Sequence, residues 1–114
     1  MNNLKSNIIG IDSDMALAIE SLQKSIIKLV LIVESNKLIG TITDGDIRRA
    51  LLSGKNLQTS CKDVMNLDPK CALVDDYKNI NKLLISYKYI PLIDHNNNII
   101  DIITNENAPQ SYSL

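Results

Sequence analysis

One short run in this chain has the residue types and spacing to hold a phosphate or a sugar. Thr43, Asp44 and Asp46 crowd the turn Thr43-Asp44-Gly45-Asp46, just ahead of an amphipathic stretch that carries Arg48 and Arg49. A carboxylate at such a turn can accept from two adjacent hydroxyls, and a hydroxyl beside the N–H groups of a helix start suits phosphate oxygens. Arg48 and Arg49 are cations that can reach phosphate at the mouth of such a site. The same atoms also have a plainer use, because Asp44 or Asp46 can satisfy the orphan N–H groups of the helix that follows. One carboxylate can serve both purposes.

Other chemistry is poorly supported. Asp44-Gly45-Asp46 lacks the further oxygen ligands of a calcium loop, and nothing downstream supplies a bidentate Glu. His95 is the single histidine and stands in an Asn-rich turn, where it reads as a surface residue. Cys61 and Cys71 have no metal-ligand partners nearby and read as reduced thiols. Tyr77, Tyr87 and Tyr89 bracket a helical stretch and read as packing residues, with base stacking as the alternative. No Gly-rich phosphate loop and no nucleophile–base pair is present, which argues against an enzyme.

The elements that must position the Thr43–Asp46 turn are legible in the apolar pattern. The 114 residues are 45% apolar, without Phe or Trp, so the core must be built from Ile, Leu and Val. A net charge of -1 and a pI near 5.7 give no footprint for nucleic acid or an acidic membrane. The N-terminus lacks the apolar core of a signal peptide, and no run reaches transmembrane length, so a cytoplasmic location is expected. The pattern predicts a strand over 8–11 and a helix over 15–25 started by Asp12-Ser13-Asp14, with Ala16, Ile19, Leu22 and Ile26 as its buried stripe. Strands are predicted over 28–34 and 38–43. A helix follows with Ile47, Leu51 and Leu52 on one face, and Gly54 ends it. Residues 55–63 are polar and aperiodic and read as a linker. A strand over 70–74, a helix over 77–87 with Ile80, Leu83, Leu84 and Tyr87 on one face, and strands over 90–94 and 99–104 complete the chain, followed by a tail from 105.

The order of elements occurs twice. Leu31-Ile32-Val33-Glu34 matches Pro91-Leu92-Ile93-Asp94, and Leu38–Thr43 matches Ile99–Thr104 with one extra turn residue between. Ile19 and Leu22 match Ile80 and Leu83. Several matches in order argue for an internal duplication of a unit too small to fold alone.

This duplicated pattern, with Gly40-Thr41-Ile42-Thr43-Asp44-Gly45-Asp46-Ile47 closing its first copy, resembles the cystathionine-β-synthase (CBS) domain pair, or Bateman module. The family's ligand signature is Gly, two apolar or small residues, Ser/Thr, any two residues, then Asp, which falls on Gly40, Thr43 and Asp46. The resemblance implies an α/β (α+β) fold of two pseudo-symmetric β-α-β-β-α halves packed as one module. The halves are expected at 1–60 and 61–114, with 105–114 as a linker. It implies that Thr43 contacts phosphate and Asp46 the ribose of an adenine nucleotide such as AMP, ADP or ATP. The base would lie by Ile8, Ile9, Leu29 and Val30, or in the second copy by Cys71, Ala72, Tyr89 and Ile90. That second copy departs from the signature: Asp101 stands for the Gly and Asn107 for the Asp, although Thr104 remains.

The run Thr43-Asp44-Gly45-Asp46-Ile47-Arg48-Arg49-Ala50-Leu51 is also similar to CBS pairs attached to sugar-1-phosphate nucleotidyltransferases and arabinose-5-phosphate isomerases. The positions of Met1 and of the chain's end favour the first, in which the pair precedes the catalytic domain. The expectation is a regulatory nucleotide-binding module that pairs with its own catalytic domain and forms a homodimer. A dimerisation module without ligand is the alternative.

Overall fold

Val, Ile and Leu fill residues 29–33 and flank Gly40 and Thr41 in residues 38–42, and these two runs form adjacent strands of the first of two units. The structure, a computed structural model, describes residues 4–106. The chain divides at Pro69/Lys70. In the first unit a 3-10 turn (Lys5–Asn7) leads into β1 (Ile8–Gly10), followed by α1 (Met15–Lys24), β2 (Val30–Glu34), β3 (Lys37–Ile42) and α2 (Asp44–Leu52). The second has β4 (Ala72–Leu73), α3 (Tyr77–Ser86), β5 (Ile90–Ile93) and β6 (Ile99–Ile103). Each unit has a three-stranded sheet in which the first strand runs parallel and the third antiparallel to the middle one. The fold is α+β, built from two β-α-β-β units.

The duplication extends to an irregularity. The β2–β3 ladder shifts register between Ile32 and Val33, and the β5–β6 ladder shifts at the matching place, between Leu92 and Ile93. Such a bulge is a specified feature of a strand pair, so its recurrence supports two copies of one unit. The helices align one residue later than the sequence match of Ile19 and Leu22 with Ile80 and Leu83 indicates. Asp14 and Asp76 are the two N-caps, and the buried pairs are Ala18 with Ile80 and Leu22 with Leu84.

Helix faces differ from the expected stripes. In α1 the buried residues are Met15, Ala18, Ser21 and Leu22, with Ile19 half-buried, while Ala16 is exposed and Ile26, beyond the helix, is 93% exposed. In α2 Ile47 and Ala50 are buried, whereas Leu51 and Leu52 face outward. Tyr87 is likewise exposed past the end of α3. In each case the core takes the smaller or earlier residue of the 3.6-residue period, because a short helix over a three-stranded sheet covers only a narrow strip.

Residues 55–63, expected as a linker, are part of the first unit. Met15 N–H donates to the Thr59 carbonyl at 2.9 Å and Ala16 N–H to that of Leu57 at 3.0 Å, while the Asp14 carboxylate accepts from Leu17 N–H. The loop thereby caps the start of α1. Cys61 then enters the core beside Met15, Ala18 and Val30. Asn66 bridges to β3, with Asn66 N–H donating to the Thr41 carbonyl at 2.8 Å and Thr41 N–H returning a bond at 3.1 Å.

Candidate functional site

The sheet registers gather the predicted site residues of the first unit at one end of its sheet. Ile8 pairs with Leu31 in parallel, and Val30 pairs with Ile42 antiparallel. The starts of β1 and β2 and the end of β3 therefore share an edge, and there lie Ile8, Ile9, Leu29, Val30 and Thr43. Leu29 and Val30 are buried, Ile9 is at the margin of the core and Ile8 is half-buried. Asn7, which the sequence reading passed over, holds this edge: its side-chain amide donates to the carbonyls of Ile27 at 3.0 Å and Leu29 at 2.9 Å. Its own carbonyl accepts from the Ser25 hydroxyl, and the Ser21 hydroxyl bonds the Ser6 carbonyl.

Thr43 is the N-cap of α2 and forms a reciprocal capping box with Asp46. Asp46 N–H donates to Thr43 Oγ1 at 3.3 Å, and Thr43 N–H donates to Asp46 Oδ2 at 2.9 Å. The Thr43 hydroxyl also donates to Oδ2, at 3.0 Å. The other carboxylate oxygen, Oδ1, accepts from Arg49 Nη2 at 2.6 Å. Asp46 is largely covered, with 15% of its side chain exposed, against 71% for Arg49. The plainer reading gives the cap to Asp44 or Asp46; the cap oxygen is instead that of Thr43, and Asp46 completes the box by accepting from Thr43 N–H. The first two N–H groups of α2, on Asp44 and Gly45, precede any intrahelical bond. Among the described residues no loop carbonyl accepts from them as those of Leu57 and Thr59 do at the start of α1.

Asp44 and Asp46 are not brought together. Asp44 lines a groove of about 340 Å³ between α1 and α2, with Ile19, Leu22, Lys28, Ile47 and Leu51. Asp46 and Arg49 border a separate, shallower cavity of about 310 Å³ with Ser53, Lys55 and Asp63. Arg48 is exposed on α2. Ile8 and Ile9 also line the floor of a wider groove, about 610 Å³, along α1 with Lys5, Leu17, Glu20 and Lys24.

Gly40, the first residue of the signature, has a steric reason. A Cβ there would lie 2.8 Å from the Asn66 carbonyl oxygen and 2.8 Å from Met65 Sδ. At the equivalent position of β6, Asp101 is half-buried and accepts from Ile102 N–H at 2.7 Å. Among the described residues no segment bridges β6 as Asn66 bridges β3.

The second unit assembles the corresponding edge from Cys71, Ala72, Tyr89, Ile90 and Thr104, which flank the starts of β4 and β5 and the end of β6. Ala72 and Ile90 are buried, and Cys71, Tyr89 and Thr104 half-buried. Lys88 Nζ stands 5.5 Å from the Tyr89 ring centroid. Thr104 Oγ1 accepts from Glu106 N–H at 3.1 Å; Asn107 lies outside the described residues. His95 is exposed and bonds Asp75 at 3.1 Å, a contact that raises its pKa and lowers that of Asp75. Cys61 is buried and donates its S–H to the Asp14 carbonyl. Burial, with the nearby Asp14 charge, pushes its pKa up to about 11, which makes it a poor nucleophile. Among the described residues no group of three or more His, Cys, Asp or Glu side chains could hold a metal ion. No helix among the described residues is long and apolar enough to cross a membrane.

Comparison with known proteins agrees with this geometry. Residues 5–53 match the family model of the CBS domain, a span that runs from the 3-10 turn to the end of α2. That part of the first unit is similar to the CBS domain. The chain is similar in fold to Listeria monocytogenes CbpB in complex with c-di-AMP (TM-score 0.77, 20% identity, 93% of this chain and 85% of that one). It is also similar to CBSX2 in complex with AMP (TM-score 0.71, 19% identity, 88% and 81%) and to Staphylococcus aureus OpuCA (TM-score 0.72, 17% identity, 88% and 86%). In sequence it is 37% identical over 67 residues to an uncharacterized Helicobacter pylori protein, a match covering 59% of this chain and 19% of the relative. The chain thus spans about a fifth of the length of the curated relatives it matches.

Proposed function

We propose that the chain is a regulatory module that binds an adenine nucleotide at the Thr43–Asp46 end of its first sheet. The observation that carries this reading is the placement, inside the CBS-matched span, of a hydroxyl, a carboxylate, a guanidinium and two uncapped helix N–H groups beside the edge formed by Ile8, Leu29 and Val30. The N–H groups and the Thr43 hydroxyl suit phosphate, the Asp46 carboxylate suits a ribose diol, and the apolar edge suits a base. Complexes of similar folds with AMP and c-di-AMP support the ligand class. The second edge, with Asp101 in the Gly position, is the weaker candidate. Arg48 serves as an outer cation, and Asp44 contributes charge rather than a ligand contact.

The module acts within a larger cytoplasmic protein, sensing nucleotide for a catalytic domain of the sugar-phosphate nucleotidyltransferase kind. The Helicobacter pylori relatives, in which the matched stretch is 19% of the chain, support attachment to a larger protein. Homodimerisation is a companion role. The groove between α1 and α2, with Leu51 and Leu52 exposed beside it, favours it.

Thermal melts of the chain with AMP, ADP, ATP and c-di-AMP, on wild type and Asp46→Ala, test the reading. A ligand present at 100 times its dissociation constant stabilises by about 2.7 kcal/mol. An upward shift that Asp46→Ala abolishes, each protein measured against its own baseline, is expected. A shift that survives the substitution moves the site elsewhere, and no shift with any nucleotide leaves the dimerisation module.

A further inference from the structure

The carboxylate assigned to the ribose is already occupied. Asp46 Oδ2 accepts from both the backbone and the hydroxyl of Thr43, and Oδ1 accepts from Arg49 at 2.6 Å. A carboxylate has about four acceptor positions in all, so little capacity is left for two ribose hydroxyls while Arg49 stays in place. The Thr43 backbone bond is fixed by the capping box, whereas Arg49 is 71% exposed and hangs on a flexible stem. Arg49 is therefore the partner that can leave. Its guanidinium lies over Gly45: a Cβ there would be 3.3 Å from Nη1. The cation thus rests on the first turn of α2.

We propose that Arg49 is a specificity-determining residue that makes the site select nucleoside phosphates over nucleosides. In this structure Arg49 pairs with Asp46. A ligand with a ribose diol alone must displace the guanidinium and offers it nothing in return. A ligand with a phosphate gives the released guanidinium a new anionic partner, so the diol takes Asp46 and the phosphate takes Arg49 in one exchange. This inference rests on the nucleotide-binding reading above and goes beyond it by naming the residue that rejects the unphosphorylated ligand.

The test is calorimetric titration of the full chain with AMP and with adenosine, on wild type, Arg49→Met and Arg49→Lys. Methionine keeps an unbranched stem and good helix propensity while removing the charge, and the exposed position makes folding insensitive to it; far-UV circular dichroism verifies this. Wild type is expected to bind AMP at least tenfold more tightly than adenosine. In Arg49→Met adenosine should bind more tightly than to wild type and AMP more weakly, so that the preference falls by about tenfold. Arg49→Lys should retain part of the preference, since a point cation still pairs with phosphate. An AMP-to-adenosine ratio unchanged in Arg49→Met overturns the inference and leaves nucleotide binding intact. AMP and adenosine both failing to bind any of the three proteins overturns the nucleotide reading, and this inference with it.

Discussion

Substituting Gly40 by alanine should destabilise the first unit through contact with main chain, without touching the ligand groups. The new methyl group would sit 2.8 Å from the Asn66 carbonyl oxygen and 2.8 Å from Met65 Sδ, both far inside van der Waals contact. The thioether can swing aside, because Met side chains are flexible. The carbonyl cannot, since Thr41 N–H holds it at 3.1 Å and Asn66 N–H is tied back to Thr41 at 2.8 Å. Relieving the clash means overpacking strain of about 1–3 kcal/mol, or opening two backbone hydrogen bonds worth about 0.5–1.5 kcal/mol each. A loss of about 2–3 kcal/mol in urea denaturation is expected. Met65→Ala combined with Gly40→Ala should recover only the thioether's share. At low temperature, where the variant is folded, its nucleotide affinity should match wild type, because Gly40 contributes space and no ligand atom. A loss below about 0.5 kcal/mol would refute the steric argument, and full rescue by Met65→Ala would show that the carbonyl is not the obstacle.

Two further predictions concern the same unit. Thr43→Ala removes the N-cap oxygen of α2 and should cost about 1 kcal/mol, whereas Thr43→Ser keeps the oxygen and should cost little; denaturant melts distinguish them. The Cys61 thiol has its pKa raised from 9.0 to about 11, so the folded state holds this proton more tightly than the unfolded chain. Its contribution is complete below pH 9 and is lost as pH rises through 11, about 2–3 kcal/mol in all. Urea melts at pH 8, 10 and 11 should show a decline that Cys61→Ala flattens, and native Cys61 should resist alkylation.

The parts of the fold legible in sequence were those carried by local signals. The aliphatic run at 29–33, the turn at Thr43–Asp46 and the Asp N-caps each specify their element through burial or a nearby hydrogen bond. The duplication was legible for the same reason, and the shared register shift in β2–β3 and β5–β6 is its structural counterpart. What the pattern did not disclose depended on partners distant in sequence. Residues 55–63 look featureless because their task is to offer carbonyls to Met15 and Ala16, a contact with no apolar period. The Asn56 and Thr59 side chains, which bond Gln58 N–H and Asn56 N–H within that loop, were the available sign of order there. Asn7, a polar residue before a strand, reads as surface in the sequence, and its role rests on two carbonyl acceptors twenty or more residues away. The apolar period alone puts Leu51 and Leu52 inward, because it does not say how wide a strip the sheet can cover, and both are exposed. At the site, the residue types were readable, while the division of labour around Asp46 emerged only from its bond distances.

The most direct test of nucleotide binding at the start of α2 is a nuclear magnetic resonance titration of the labelled chain with AMP, following backbone amides. The amides of Thr43, Asp44, Gly45 and Asp46, together with Leu29 and Val30 across the sheet edge, should shift first and saturate together. Shifts confined to the groove lined by Lys5, Leu17 and Lys24, or to the second unit, with the Thr43–Asp46 amides unmoved, would contradict the assignment.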